Sequence, residues 1–198
     1  GSGFRTKARF AQFFNIQELM TLFKEVADIK TSKMLDLPTP KLKGGDYKTI
    51  VAPKSEELGE YVDKLAERSE RIRNGCDPRE DNMLLVTNDG RKAALDLRMI
   101  DPSMPDLPNS KINMAVENIY RIWLENKEDR LTQLVFCDLS TPRTDGTFNV
   151  YDDIKDKLVA RGVPEEEIEF IHNAKTNPQK LKLFEDMRNG TKRILIGS

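Results

Sequence analysis

The sequence predicts an α/β fold, a parallel sheet flanked by helices and preceded by a helical lead-in. Three short apolar runs, at 134–137, 168–171 and 193–197, have the composition of strands buried on both faces. Two stretches of helical period separate them, one around Val150, Ile154 and Leu158 and one over 178–189. Strands joined by single helices imply parallel pairing through right-handed crossovers.

Taken in order, residues 1–3, Gly-Ser-Gly, read as a cloning scar outside the fold. Asn15 followed by Glu18 has the form of a helix-starting capping pair. Ile16, Leu19, Leu22, Phe23 and Val26 then share one face, which predicts a helix over 16–28. Pro38, Pro40, Gly44 and Gly45 break up a polar stretch that reads as a linker. Residues 4–46 are thus a lead-in and 47–198 a domain. Residues 48–52 are β-prone and predict a strand. From Ser55, the spacing of Leu58, Tyr61, Val62, Leu65 and Ile72 predicts a long helix, with Glu56 and Glu57 at its favourable amino end.

Residues 74–89 are polar and turn-rich around the apolar run 83–86, whose state the pattern leaves open. Asp89-Gly90 is expected to open a short helix containing Ala93, Ala94, Leu97 and Ile100, which stops before Pro102. The three prolines of 101–110 make a loop. Ser110 then caps a helix whose stripe Ile112, Ala115, Val116, Ile119, Ile122 and Trp123 reads as core. The helix after the first strand ends at Gly162. The next takes Asn177 as cap, Pro178 in its first turn and Gly190 past its end. The 193–197 run resembles a central strand, yet one residue follows it, so the sequence reads as a piece of a longer protein.

The 198 residues suffice for one core. No apolar run approaches the roughly 20 residues of a membrane span, and no secretory leader is visible. Cys76 and Cys137, with a single His, supply neither a disulfide framework nor the usual zinc ligands, which fits the reducing cytoplasm. With 32 Lys+Arg against 33 Asp+Glu, the chain is not a uniformly basic nucleic-acid binder. The balance is uneven: residues 150–170 carry three positive and seven negative side chains, and 171–198 carry six and two. The basic end can meet phosphate, or be a solvated face.

In an open parallel sheet, ligands gather where the strands end. That edge is expected to hold Asp138, Ser140, Thr141 and Arg143 after the first strand, His172, Asn173 and Lys175 after the second, and Gly197 and Ser198 after the third. Hydroxyl, amide, guanidinium and ammonium groups suit phosphate oxygens without a cofactor. The phosphate-loop pattern G-x-x-x-x-G-K-[ST], a magnesium-holding D-E-x-H or D-E-x-D box, G-x-G-x-x-G and G-x-S-x-G are all absent. A Cys137/His172 nucleophile pair would make the chain a small hydrolase, although Cys137 closes an apolar run and reads as a buried hydrophobe. Trp123 and the Phe10, Phe13, Phe14 cluster read as packing rather than base-stacking platforms.

The run Leu134-Val135-Phe136-Cys137-Asp138-Leu139-Ser140-Thr141-Pro142 resembles motif IV of superfamily-two helicases, the strand that opens the second RecA-like lobe. Residues 151–162, 168–172 and 180–190 resemble that lobe's next helix, strand and helix, and Arg193-Ile194-Leu195-Ile196-Gly197-Ser198 resembles the start of motif V. Upstream, Lys48-Thr49-Ile50-Val51-Ala52-Pro53 with Ser55-Glu56-Glu57 and Tyr61 is similar to the opening of the second lobe in Swi/Snf-type translocases. Ala94-Leu95-Asp96-Leu97-Arg98-Met99-Ile100-Asp101-Pro102 is similar to their leucine-arginine segment, with Asp101 where His is common. Over most of its length the chain resembles the helicase-like proteins of phages and conjugative elements, often joined to a DNA methylase. Residues 14–29 would then close the first lobe.

The resemblance implies a partial second lobe, 47–198, of a DNA-dependent ATPase that tracks the nucleic-acid backbone. By motif position Ser140, Thr141 and Ser198 take phosphate contacts, with Arg143, His172, Asn173, Lys175 and Lys180 along the same edge. The implied partners are DNA, a first RecA-like lobe of the same polypeptide and a joined methylase domain, with no membrane. ATP and magnesium are implied for the full-length protein only. This chain lacks the phosphate loop, the magnesium box and the arginine finger, so it is not expected to hydrolyse ATP alone. A protein-interaction module derived from such a lobe, no longer engaging DNA, is the alternative.

Overall fold

The computed structural model describes residues 14–31, 34–35, 41–142 and 146–198. The chain divides into two compact units, one spanning Val51–Ser198 and one within the first 50 residues. The N-terminal unit holds α1 (Ile16–Val26), whose apolar stripe of Ile16, Leu19, Leu22, Phe23 and Val26 is exposed. Its start differs from the expected cap. Asn15 adopts a left-handed φ of 59° and its side chain accepts no backbone N–H, the side-chain amide instead donating to the Glu18 carboxylate. Asn tolerates this region because its short polar side chain can bond locally. Phe14 is exposed rather than packed. Phe10, Phe13, Pro38, Pro40 and residues 1–3 lie outside the described residues.

The expected strand over 48–52 is absent. These residues have no regular secondary structure, and the sheet of the described residues has three strands, all later in the chain. β-prone residues need a neighbouring strand to become one. Ser55 then caps α2 (Glu56–Arg73) by accepting from the Leu58 N–H at 3.1 Å. The Asn82 side chain accepts from the amides of Leu84 and Leu85, which starts α3 (Met83–Leu95) seven residues before the expected Asp89. Gly90 therefore sits mid-helix. A Cβ there would stand 3.5 Å from Leu65 Cδ1, an ordinary van der Waals contact between α2 and α3. Arg68 of α2 spans the same seam, with a bidentate bond to Asp81 at 2.8 and 2.9 Å and another to Asp89 at 2.8 Å. A single-turn 3₁₀ helix, Leu97–Met99, follows.

The last part alternates as predicted. After α4 (Lys111–Glu125) come β1 (Gln133–Phe136), α5 (Val150–Ala160), β2 (Ile168–Phe170), α6 (Asn177–Arg188) and β3 (Ile194–Gly197). Ser110 caps α4 as expected. The cap of α6 is Thr176, one residue before the expected Asn177, in a reciprocal capping box with Gln179. The strands are parallel in the order β1-β3-β2, with Gln133 and Ile168 both in register with Ile194. The last strand in sequence is thus the central one, and all four of its residues are buried.

Side chains alternate across this sheet. On one face Ile194, Ile196, Ile168 and Phe170 join Ile112, Val116, Ile119 and Trp123 of α4 and Val150, Tyr151, Ile154 and Leu158 of α5. On the other, Leu195 meets Leu183 and Met187 of α6. The first cluster holds thirteen buried side chains and the second four. At about 1.5–3 kcal/mol per buried aliphatic or aromatic side chain, the α4–α5 face is the dominant core. Leu134 and Phe136 of β1 point to the second face and remain 61% and 76% exposed.

Two buried guanidinium groups tie irregular segments to this core. Arg98 forms paired bonds to Asp96 (2.9 and 2.8 Å) and to Asp153 of α5 (both 3.0 Å), and lies 4.4 Å from the centre of the Phe148 ring. Arg193, fully buried, donates to the carbonyls of Trp123, Asn126 and Leu131 and lies over the Trp123 ring. Fork-shaped donors of this kind satisfy several acceptors at once, which Lys cannot copy.

Two outcomes follow from these constraints. Gly190 has φ 74°, and a Cβ there would lie 2.8 Å from Arg130 Cβ and 2.9 Å from its carbonyl oxygen. Gly190→Ala is expected to lower unfolding free energy by about 1–3 kcal/mol, read by urea denaturation. The Arg68 hydrogen bond lowers the Asp81 pKa from 3.8 to about 2. A depressed carboxylate stabilises the fold above its unfolded pKa and loses that contribution as pH falls through the folded value. The Tm gap between the native chain and Asp81→Asn should therefore be full at neutral pH and close as pH falls from 3.8 to about 2.

Candidate functional site

Parallel strands all point the same way, so the segments leaving β1, β2 and β3 emerge on one rim. After β1 come Cys137, Asp138, Leu139 and Ser140. After β2 a 3₁₀ turn, Ile171–Asn173, leads through Lys175 to the cap of α6. Ser198 follows β3.

The turn after β1 is built by short-range bonds. The Cys137 N–H donates to the Gly197 carbonyl at 2.8 Å, extending the ladder by one rung, and its thiol donates to the Leu139 carbonyl at 2.9 Å. Ser140 has a left-handed φ of 64°, a conformation that costs a residue with a Cβ about 1 kcal/mol. The first turn of α5 holds it there. The Val150 N–H donates to Ser140 Oγ at 2.8 Å, and Tyr151 Oη donates to the Cys137 carbonyl, also at 2.8 Å. Because Ser140 Oγ accepts the Val150 amide, its own O–H remains a donor.

The expected site residues divide into three groups. Ser140 and Thr141 stand at the exit of β1, His172 and Asn173 at that of β2, and Ser198 at that of β3. Ser140 is half-buried and the other four are exposed. Asn173 is already engaged, its amide donating to Glu169 at 2.7 Å. Lys175 and Lys180 flank the start of α6, exposed and without an ion pair among the described residues. Arg143 lies outside the described residues. Asp138 is exposed on the rim, and Gly197 is buried in β3, where a Cβ would come within 2.8 Å of Ile171 Cγ2. The basic end shrinks on inspection. Of its six cations, Arg193 is interior and Lys192 pairs with Glu169 at 2.9 Å. Lys175, Lys180, Lys182 and Arg188 remain exposed.

Tyr151 is the residue that sequence reasoning missed. It read only as part of a helix, whereas its position two residues after the N-cap Asn149 was the available signal. Trp123 is core, as expected, with its indole N–H donating to Glu167 at 2.7 Å. Burial, supplemented by the nearby Asp138 carboxylate, pushes the Cys137 thiol above its ordinary pKa. The His172 ring meets Tyr151 edge-on. A thiol held protonated is a poor nucleophile, so this environment disfavours the Cys137/His172 hydrolase reading.

Among the described residues, no three His, Cys, Asp or Glu side chains gather to hold a metal ion. No helix is long and apolar enough to cross a membrane, again among the described residues. In comparisons with protein-family models, curated proteins and solved structures, none matches the chain. The geometry itself defines the class: an α/β protein with a small three-stranded open parallel sheet, six α-helices among the described residues and a polar rim at the strands' carboxyl ends.

With Cys76 replaced by Ser, alkylation of Cys137 by iodoacetamide at neutral pH should run several-fold slower than that of free cysteine. A rate equal to or above that of the free amino acid would restore the nucleophile reading.

Proposed function

We propose that residues 47–198 are a second RecA-like lobe of a Swi/Snf-type, superfamily-two helicase-like protein, whose role is to hold the DNA backbone. One observation carries the reading. Three parallel exit segments bring Ser140, Thr141, His172 and Ser198 to one rim, with Lys175 and Lys180 beside them. Hydroxyl, imidazole and ammonium donors spaced along an edge suit successive phosphates and convey no base sequence. The resemblance of 134–142 and 193–198 to motifs IV and V supports the same residues. On this reading, ATP and magnesium act at a first RecA-like lobe, and a methylase domain accompanies the parent protein, which resides in the cytoplasm and belongs to a mobile element.

A second reading has its own observation. The exposed Leu134 and Phe136 on the outer face of β1 suit a protein-interaction module that no longer engages DNA.

Fluorescence anisotropy with labelled single-stranded and duplex DNA separates the two. The first reading expects weak binding whose log K falls linearly with log salt. Lys175→Glu with Lys180→Glu should weaken it about tenfold and reduce the slope by about 2, roughly one per lysine. Absence of binding at low salt, or binding indifferent to both substitutions, would remove the DNA reading and leave the interaction module.

A further inference from the structure

We propose that Tyr151 is the positioning residue of the rim, a single side chain that fixes the exits of β1 and β2 relative to one another. The inference rests on the DNA reading for its consequence, but its geometry stands on its own. Tyr151 is fully buried at the second position of α5. Its Oη donates to the Cys137 carbonyl, the first acceptor beyond β1. Its ring meets Phe170 at the end of β2 edge-on, with centroids 5.5 Å apart, and His172 in the following turn at 5.4 Å. One side chain therefore touches the exits of β1 and β2, the two strands that flank β3.

The neighbouring Val150 amide completes the arrangement by holding Ser140 in its left-handed conformation. Ser140 and His172 are among the groups that would meet phosphate, and both are tied to the first turn of α5. A donor array held at fixed spacing binds more tightly than a loose one because less motion is lost on contact. The phenol itself is enclosed and meets no ligand, which separates positioning from binding.

The test uses the complete chain and Tyr151→Phe, which keeps the ring packing and removes the bond to Cys137. It should weaken binding of a short labelled duplex about fivefold, the worth of one hydrogen bond, with the salt slope unchanged because no cation is lost. A purely structural role would lower Tm and leave affinity alone. Unchanged affinity, or a change of slope, would overturn the proposal.

A second readout needs no DNA. His172 is the chain's one histidine, so its Hε1 proton gives a unique NMR signal beside the Tyr151 ring. Tyr151→Leu removes the ring and should displace that signal, and Tyr151→Phe should restore it. Amide exchange at 139–141 should quicken in Tyr151→Phe. If wild type ignores DNA, the DNA reading fails while these signals still decide the positioning. A His172 resonance unmoved in Tyr151→Leu, with exchange at 139–141 unchanged in Tyr151→Phe, would overturn it.

Discussion

The backbone of a strand buried on both faces cannot turn to water for its hydrogen bonds, and β3 lies in that position. Its N–H and C=O groups find β1 on one side and β2 on the other, both parallel to it. Parallel pairing on both sides leaves the three chain exits no choice of direction. The rim, with its hydroxyls and its histidine, is a by-product of satisfying one apolar segment, Ile194–Gly197. The capping of α5 and α6 then works from that same rim, because each crossover helix must begin where its strand stops.

What the sequence made legible was whatever depends on a long repeat of one pattern. α2 and α4 carry their apolar residues at helical spacing over four or more turns with a serine before each, and both lie where that spacing puts them. The three strands and their parallel sense were equally plain. Local competition decided the rest. At Asn82 and Thr176 the capping side chain that wins is the one whose backbone is extended and whose oxygen reaches the amides two or three residues on. Composition alone does not separate these residues from their neighbours Asp89 and Asn177. Residues 48–52 have strand propensity without a partner strand, and propensity without a ladder does not make a strand.

The site was legible in its placement and opaque in its construction. Counting strand ends located Ser140, His172 and Ser198. It could not reveal that Tyr151 touches the exits of β1 and β2, since that depends on contacts between residues 14 and 21 positions apart. Charge counting erred in the other direction. Arg193 and Lys192 enter the sum as if they were surface cations, yet one caps carbonyls inside the fold and the other neutralises Glu169. Arg98 likewise spends its charge on Asp96 and Asp153, so the leucine-arginine segment is bound to α5 by buried ion pairs. Such pairs are costly to break singly, because removing one partner leaves a charge out of reach of water.

The indole of Trp123, the chain's one tryptophan, sits against the Arg193 guanidinium and donates to Glu167. Intrinsic fluorescence excited at the long-wavelength edge of the near-ultraviolet band, where tyrosine absorbs little, is consequently a local optical gauge of the junction between α4 and the start of β3. Its emission reports the dry, charged surroundings of one ring, at the end of the sheet away from the polar exits. Light from this residue can thus register loss of the core while staying blind to rearrangements at the opposite edge.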